Sequence, residues 1–133
     1  MIDRSWAEEL ARDWIEGWNA RDLERILAHY ADGFEMTSPL IVQRFAITNG
    51  KLKGKDAVRK YWAQGLTRTP ELRFKLINVV VGVNALAIIY ESHTLARTVI
   101  EYIQLNEQGL GVRAEALHAS PTTASKQARR RSR

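Results

Sequence analysis

The chain has no cysteine among its 133 residues. This excludes disulfides, thiolate metal sites and a cysteine nucleophile, and it fits a reducing cytoplasm, the expected location. No apolar run approaches the roughly 20 residues that a membrane-crossing helix needs. The opening Met1-Ile2-Asp3-Arg4-Ser5-Trp6 also lacks the basic-then-apolar order of a secretion signal, so no membrane partner is expected. The three histidines, His29, His93 and His118, have no metal-ligand spacing and no carboxylate cluster beside them; neither a metal nor a cofactor is expected. Gly50-Lys51-Leu52-Lys53-Gly54 is neither a phosphate loop nor a dinucleotide fingerprint. Ser38, Ser92 and Ser120 lie outside any elbow or triad context.

The formal net charge of +5 comes from one end of the chain. Lys126, Arg129, Arg130, Arg131 and Arg133 are unbalanced by acids, and the first 118 residues hold fifteen side chains of each sign. The domain is therefore read as residues 1–119, followed by a basic tail over 120–133. With no apolar periodicity, that tail is expected to be disordered. Its basic run suits nucleic acid or an anionic membrane in principle. The body offers no basic patch with interleaved aromatics, so a nucleic-acid partner is not expected.

Apolar residues make up 45% of the chain, enough for one ordinary core. Trp6, Leu10, Trp14 and Trp18 recur every four residues, which predicts a helix from about Asp3 to Trp18. Asp22 is an N-cap for a second helix carrying Leu23, Ile26, Leu27 and Tyr30 inward, ended by Asp32-Gly33. Phe34 to Ser38 reads as a strand stopped by Pro39. Residues 40–53 give mixed signals: Ile41 to Ile47 fits a short strand, and Asn49-Gly50 a turn. Gly54-Lys55-Asp56 leads into a third helix with Ala57, Val58, Tyr61 and Trp62 on one side. Strands follow over about 72–83, 85–94, 98–105 and up to about Ala119. Helices followed by consecutive strands predict an α+β fold with an antiparallel sheet.

Strand alternation sorts the polar groups. Glu101 shares a face with Val99, Ile103 and Leu105. His118 shares one with Ala114 and Ala116, whose small side chains leave space. Leu86, Ile88, Tyr90 and Ser92 share another. A carboxylate among aliphatics must be paired, protonated or facing a wet cavity. Glu101 is therefore the first candidate for acid–base chemistry, with His118 or Tyr90 as partner. The expected lining is Trp14, Trp18, Tyr30, Met36, Ser38, Trp62, Ile88, Ser92, Ile103, Ala114 and Ala116, around a small apolar molecule.

Several segments together resemble the nuclear transport factor 2-like superfamily, in its SnoaL-like and ketosteroid isomerase branch. They are Trp18-Asn19-Ala20-Arg21-Asp22-Leu23, Tyr30-Ala31-Asp32, Ser38-Pro39, Gly54 to Tyr61, and Ile100 to Gly109. The resemblance covers about residues 5–119. It implies three N-terminal helices on a curved antiparallel sheet, forming a cone with an apolar pocket, and pairing of two copies through the outer sheet face around Ile89, Ile100, Tyr102 and Leu117. In the isomerases it implies a general-base aspartate before the strand-ending proline, where Ser38 stands here. It also implies a tyrosine on the first helix, where Trp14 stands, and a protonated aspartate where Glu101 stands. Steroid isomerisation by that mechanism is therefore not expected. The aspartate–arginine–aspartate set of the epoxide hydrolases is not assembled either. Two functions stay open: an isomerase, cyclase or dehydratase using Glu101, and a non-catalytic module binding a ligand or a protein.

Overall fold

A computed structural model of the chain describes residues 1–121. From residue 122 on, the expected basic tail lies outside the described residues. Helix α1 spans Arg4–Asn19, starting where the Asp3 carboxylate accepts from the Trp6 amide at 2.9 Å. Helix α2, Leu23–Leu27, is capped by Asp22 in the same way. It is shorter than its pattern implied: Tyr30 already opens strand β1, Tyr30–Thr37. Ser38 then caps a helix, α3, over Pro39–Phe45. The short strand fitted to Ile41–Ile47 is thus replaced by a helix. Ser38-Pro39 is a helix-start signal as much as a strand stop, because proline fits the first helical position, where its missing N–H costs nothing. The three-residue strand β2 (Lys51–Lys53) and helix α4 (Lys55–Arg68) follow, and then β3 (Phe74–Val81), β4 (Ala85–Ser92), β5 (Arg97–Leu105) and β6 (Gly111–His118).

The six strands form one sheet in the order β2-β1-β6-β5-β4-β3. The pairing is antiparallel except between β1 and β6, which run parallel, so the sheet is mixed where an antiparallel one was expected. A parallel pair needs a long crossover; here everything from α3 to β5 separates the two strands. Register shifts interrupt β3–β4 near Leu76 and β5–β6 near Leu105, and such bulges bend and twist a sheet. The sheet is curved and unclosed, and four helices pack against it where the sequence suggested three.

Two contacts fix how the helices sit. Asn19 donates to the Phe74 carbonyl at 2.9 Å and accepts from the Phe74 amide at 2.8 Å. Its carboxamide thereby acts as a strand partner for the edge strand β3. Arg21, in the left-handed region at φ 61, donates to the carbonyls of Leu66, Thr69 and Pro70. A cation at the C-terminal end of α4 also complements the helix dipole. Together they bring α1 and α4 over the same concave sheet face. Trp6 continues the α1 stripe but is 39% exposed; its ring lies against Gly109, in the turn between β5 and β6.

Candidate functional site

Between the helices and the concave face lies a cavity of about 110 Å³. Its buried walls are Trp14 and Trp18 from α1, Met36 and Ser38 from β1 and its end, Tyr61 and Trp62 from α4, and Tyr90, Ser92, Val99, Glu101 and Ala116 from the sheet. Its half-buried rim includes Leu40 and Arg44 from α3, Thr69, Leu72 and Phe74, Thr94 and Leu95 in the β4–β5 turn, and His118. The aromatic rings support one another. Trp14 lies 5.3 Å from Tyr90, 5.9 Å from Trp18 and 6.2 Å from Phe74, centroid to centroid. These are the offset and edge-on arrangements that ring quadrupoles favour.

Glu101 sits opposite Ile88 on β4 and Ala116 on β6 and is 2% exposed. The Tyr30 hydroxyl donates to its Oε2 at 3.3 Å, and the Trp14 indole N–H donates to the Tyr30 oxygen at 3.0 Å. A chain of donors thus runs from α1 through β1 to the carboxyl. Burial pushes the Glu101 carboxyl up to about 8, and the Tyr30 hydrogen bond pulls back only in part. A carboxyl at about 8 is mostly protonated at neutral pH. Burial, and then the proximity of Glu101, push the Tyr30 and Tyr90 hydroxyls well above the ordinary phenol range. Both therefore stay protonated, and Tyr30 donates to Glu101. Burial, with Arg97 nearby, holds His118 below the usual imidazole value.

The structure brings Glu101, His118 and Tyr90 to one cavity, with Trp14, Trp18, Met36, Ser38, Trp62, Ser92 and Ala116. Four expected lining residues are not at its surface. Ile88, Ile103 and Ala114 lie deeper, in the packed core beneath it, because alternation gives the face a residue occupies but not its depth along the strand. Tyr30 stands behind Glu101 and reaches it only through its hydroxyl. Ser38 is buried and accepts from the Leu40 amide at 3.2 Å, so its hydroxyl serves as the cap of α3. Arg44, Tyr61 and Thr94 line the cavity and were absent from the expected set. Arg44 depended on recognising α3; Tyr61 was already on the inward side of its helix. Among the described residues, no three His, Cys, Asp or Glu side chains come together to hold a metal ion, and no helix is long and apolar enough to cross a membrane.

A SnoaL-like domain profile matches residues 11–119, and the chain belongs to that family. It is similar to a SnoaL-like protein of unknown function from Burkholderia thailandensis: 41% identity over 90% of this chain and all of that one, with a TM-score of 0.85. At 16% identity it matches a Methylobium petroleophilum protein of cystatin-like fold, over 92% of this chain and 81% of that one, TM-score 0.71. At 12% identity it matches a proposed isomerase of the SnoaL-like family from Agrobacterium tumefaciens, over 87% and 99% of the two chains, TM-score 0.68. The last two likenesses establish the fold alone. No curated protein matches the chain.

Proposed function

We propose that the cavity takes a small, largely apolar molecule bearing a carbonyl oxygen, and that Glu101 acts on that oxygen as hydrogen-bond donor and general acid. The supporting observation is a carboxyl buried at the cavity wall, held by Tyr30 and raised by burial to about 8. A neutral carboxylic acid in an apolar site can donate to a carbonyl and stabilise the charge that develops there. His118, kept neutral by burial, supplies the complementary base. The two residues are diagonal neighbours across β5 and β6, since Glu101 faces Ala116 and Val99 faces His118. Such positions lie about 7–8 Å apart, enough to span a carbon acid and its carbonyl. In that arrangement the imidazole removes a proton from the carbon beside the carbonyl, while Glu101 protonates the oxygen to give the enol. Isomerisation, cyclisation and dehydration can all begin this way. Tyr90, protonated and stacked on the wall, orients the ligand.

A crystal soaked with a mixture of carbonyl-bearing fragments tests the reading. A fragment oxygen within hydrogen-bond distance of Glu101 is expected; fragments confined to the outer surface would overturn it. A β,γ-unsaturated steroid ketone is expected to isomerise no faster than in buffer. Ser38 offers no carboxylate base. Turnover above buffer that is lost in Glu101→Gln would show that another base serves the site. A binding-only role is favoured by the engagement of Ser38 as a helix cap. In that case Glu101→Gln keeps ligand affinity, and no substrate is turned over.

The partner we propose is a second copy of the chain. On the outer face, Ile89, Ile100 and Leu117 align across three strands, beside Tyr102 and Val80. Tyr102 is 37% exposed, Val80 44% and Leu117 47%. A contiguous apolar patch of this kind is unusual on a monomer. Light scattering at micromolar concentration should give roughly 30 kDa, twice the 15.2 kDa chain mass. A monomer mass would show that the face stays open.

A further inference from the structure

Several charged side chains of the helical layer have partners. Arg25 pairs with Asp13 and Glu16, and Arg59 with Glu24 and Asp56. Arg44 lines the rim with its guanidinium 6.0 Å from the Tyr61 ring centroid, and among the described residues it makes no ion pair. Arg97 lies on the same sheet face as Val99 and Glu101, at the mouth end of β5 opposite Ser92, and it too has no carboxylate within ion-pair reach among the described residues. Its Nε is buried without a hydrogen-bond partner among the described residues, and so are Thr94 Oγ1 and His118 Nδ1, which lie at the cavity rim.

An unsatisfied buried polar atom forfeits its bonds to water and gains nothing in return, and native folds carry few of them. Two of these atoms, on Thr94 and His118, belong to the cavity rim that Arg44 also lines, and together they mark a place built for something the polypeptide does not supply. The arginines can only donate, and the Thr94 hydroxyl is free to do so. The missing group is therefore an acceptor, and the charge asks for an anion. Among the described residues no ionised acid competes for the position. Glu91 and Glu115 point to the opposite sheet face, and Glu101 is the one acid on the cavity wall. The cavity volume of about 110 Å³ is of the same order as the roughly 150 Å³ cavity that accommodates benzene, so an apolar body of about one ring fits within it.

Resting on the reading of this cavity as a ligand site, we propose that its ligand is a small amphipathic acid: an anionic group held at the mouth by Arg44 and the Thr94 hydroxyl, a one-ring apolar body against the tryptophans, and an oxygen directed at Glu101. The chemistry recognised is an organic carboxylate or an equally acidic enol, and the neutral ester of the same molecule is discriminated against.

4-Acetylbenzoate and its methyl ester are the probes, because they share the body and the ketone and differ in the charge. Binding is followed by quenching of tryptophan fluorescence at pH 7. The acid is expected to bind at least about tenfold more tightly than the ester. Arg44→Met should weaken the acid by about tenfold and leave the ester unchanged, as expected for loss of a charge-assisted hydrogen bond. Raising the salt concentration on the unaltered protein should narrow the gap between acid and ester, an effect that needs no variant to fold. Equal affinity of the two probes, or a preference for the ester, would overturn the anion-binding mouth and leave the cavity reading standing. Acid binding indifferent to Arg44→Met and to salt would also overturn it. Failure of both probes to bind would overturn the mouth and the ligand cavity together.

Discussion

Replacing Glu101 by Gln is expected to stabilise the protein at neutral and mildly alkaline pH. The folded carboxyl is raised from its ordinary value of 4.5 to about 8, so between those values the folded state holds a proton that the unfolded chain has released. The stability tied to that proton is fully present below about 4.5 and is lost as pH rises towards about 8. One pKa unit corresponds to about 1.4 kcal/mol. The loss is then roughly 3 kcal/mol by pH 7 and roughly 5 at pH 8 and above, as orders of magnitude. Glutamine is nearly isosteric and can still accept from Tyr30, but it has no proton to lose. His118, whose pKa is depressed by burial, acts in the opposite sense, destabilising the fold as pH falls, and it does so equally in both proteins. Urea unfolding of the two proteins from pH 4 to 9 separates the effects. The curves should converge at the acid end and part steadily above pH 5. Parallel curves would show that Glu101 is ionised in the folded protein.

Trp14→Ala is expected to cost about 3–5 kcal/mol, in the range for deleting a large buried aromatic. The ring is 1% exposed and touches Trp18, Phe74 and Tyr90. Its indole N–H also supplies the hydrogen bond to Tyr30, so its loss weakens the support of Glu101. Domains of this kind are stable by only about 5–15 kcal/mol, and the variant should unfold tens of degrees earlier in a thermal melt. A loss below about 1 kcal/mol would show that the surrounding rings collapse into the space. Trp14→Phe, which keeps most of the ring contact and removes only the donor, should fall between the two proteins.

The layout of helices and strands was legible wherever periodicity was strong. The four-residue spacing of α1, with Leu10, Trp14 and Trp18 on one stripe, and the alternation through Tyr90, Glu101 and His118 each follow from one repeating geometry. Glu101 could be placed on the concave face because a charge among Val99, Ile103 and Leu105 breaks a pattern that is otherwise complete. Two kinds of information were not local. The first was the state of residues 39–45: Leu40, Ile41, Val42 and Phe45 satisfy a strand pattern and a helix pattern over so few residues, and only Ser38-Pro39 argued for the helix. Missing α3 meant missing Arg44. The second was depth. Ile88, Ile103 and Ala114 have the right phase for the cavity but belong to the core, because where along a strand the helices stop covering it is set by long-range packing. The parallel β1–β6 pair is invisible for the same reason, since no short segment records which distant strand will be its neighbour.

That pairing bears on how the protein is made. Strand β1 is complete once residue 37 has left the ribosome, but its parallel partner begins at Gly111. At about 5–20 residues per second, the two are separated by several seconds of synthesis, during which β1 can pair only with the three-residue β2. The bond from Tyr30 to Glu101 spans 71 residues, so the buried carboxyl acquires its partner only when the strands docking around it are nearly all present. The N-terminal helices therefore wait with their tryptophans uncovered, and premature termination anywhere before β6 leaves a chain that exposes them to chaperones and proteases instead of a smaller version of the fold.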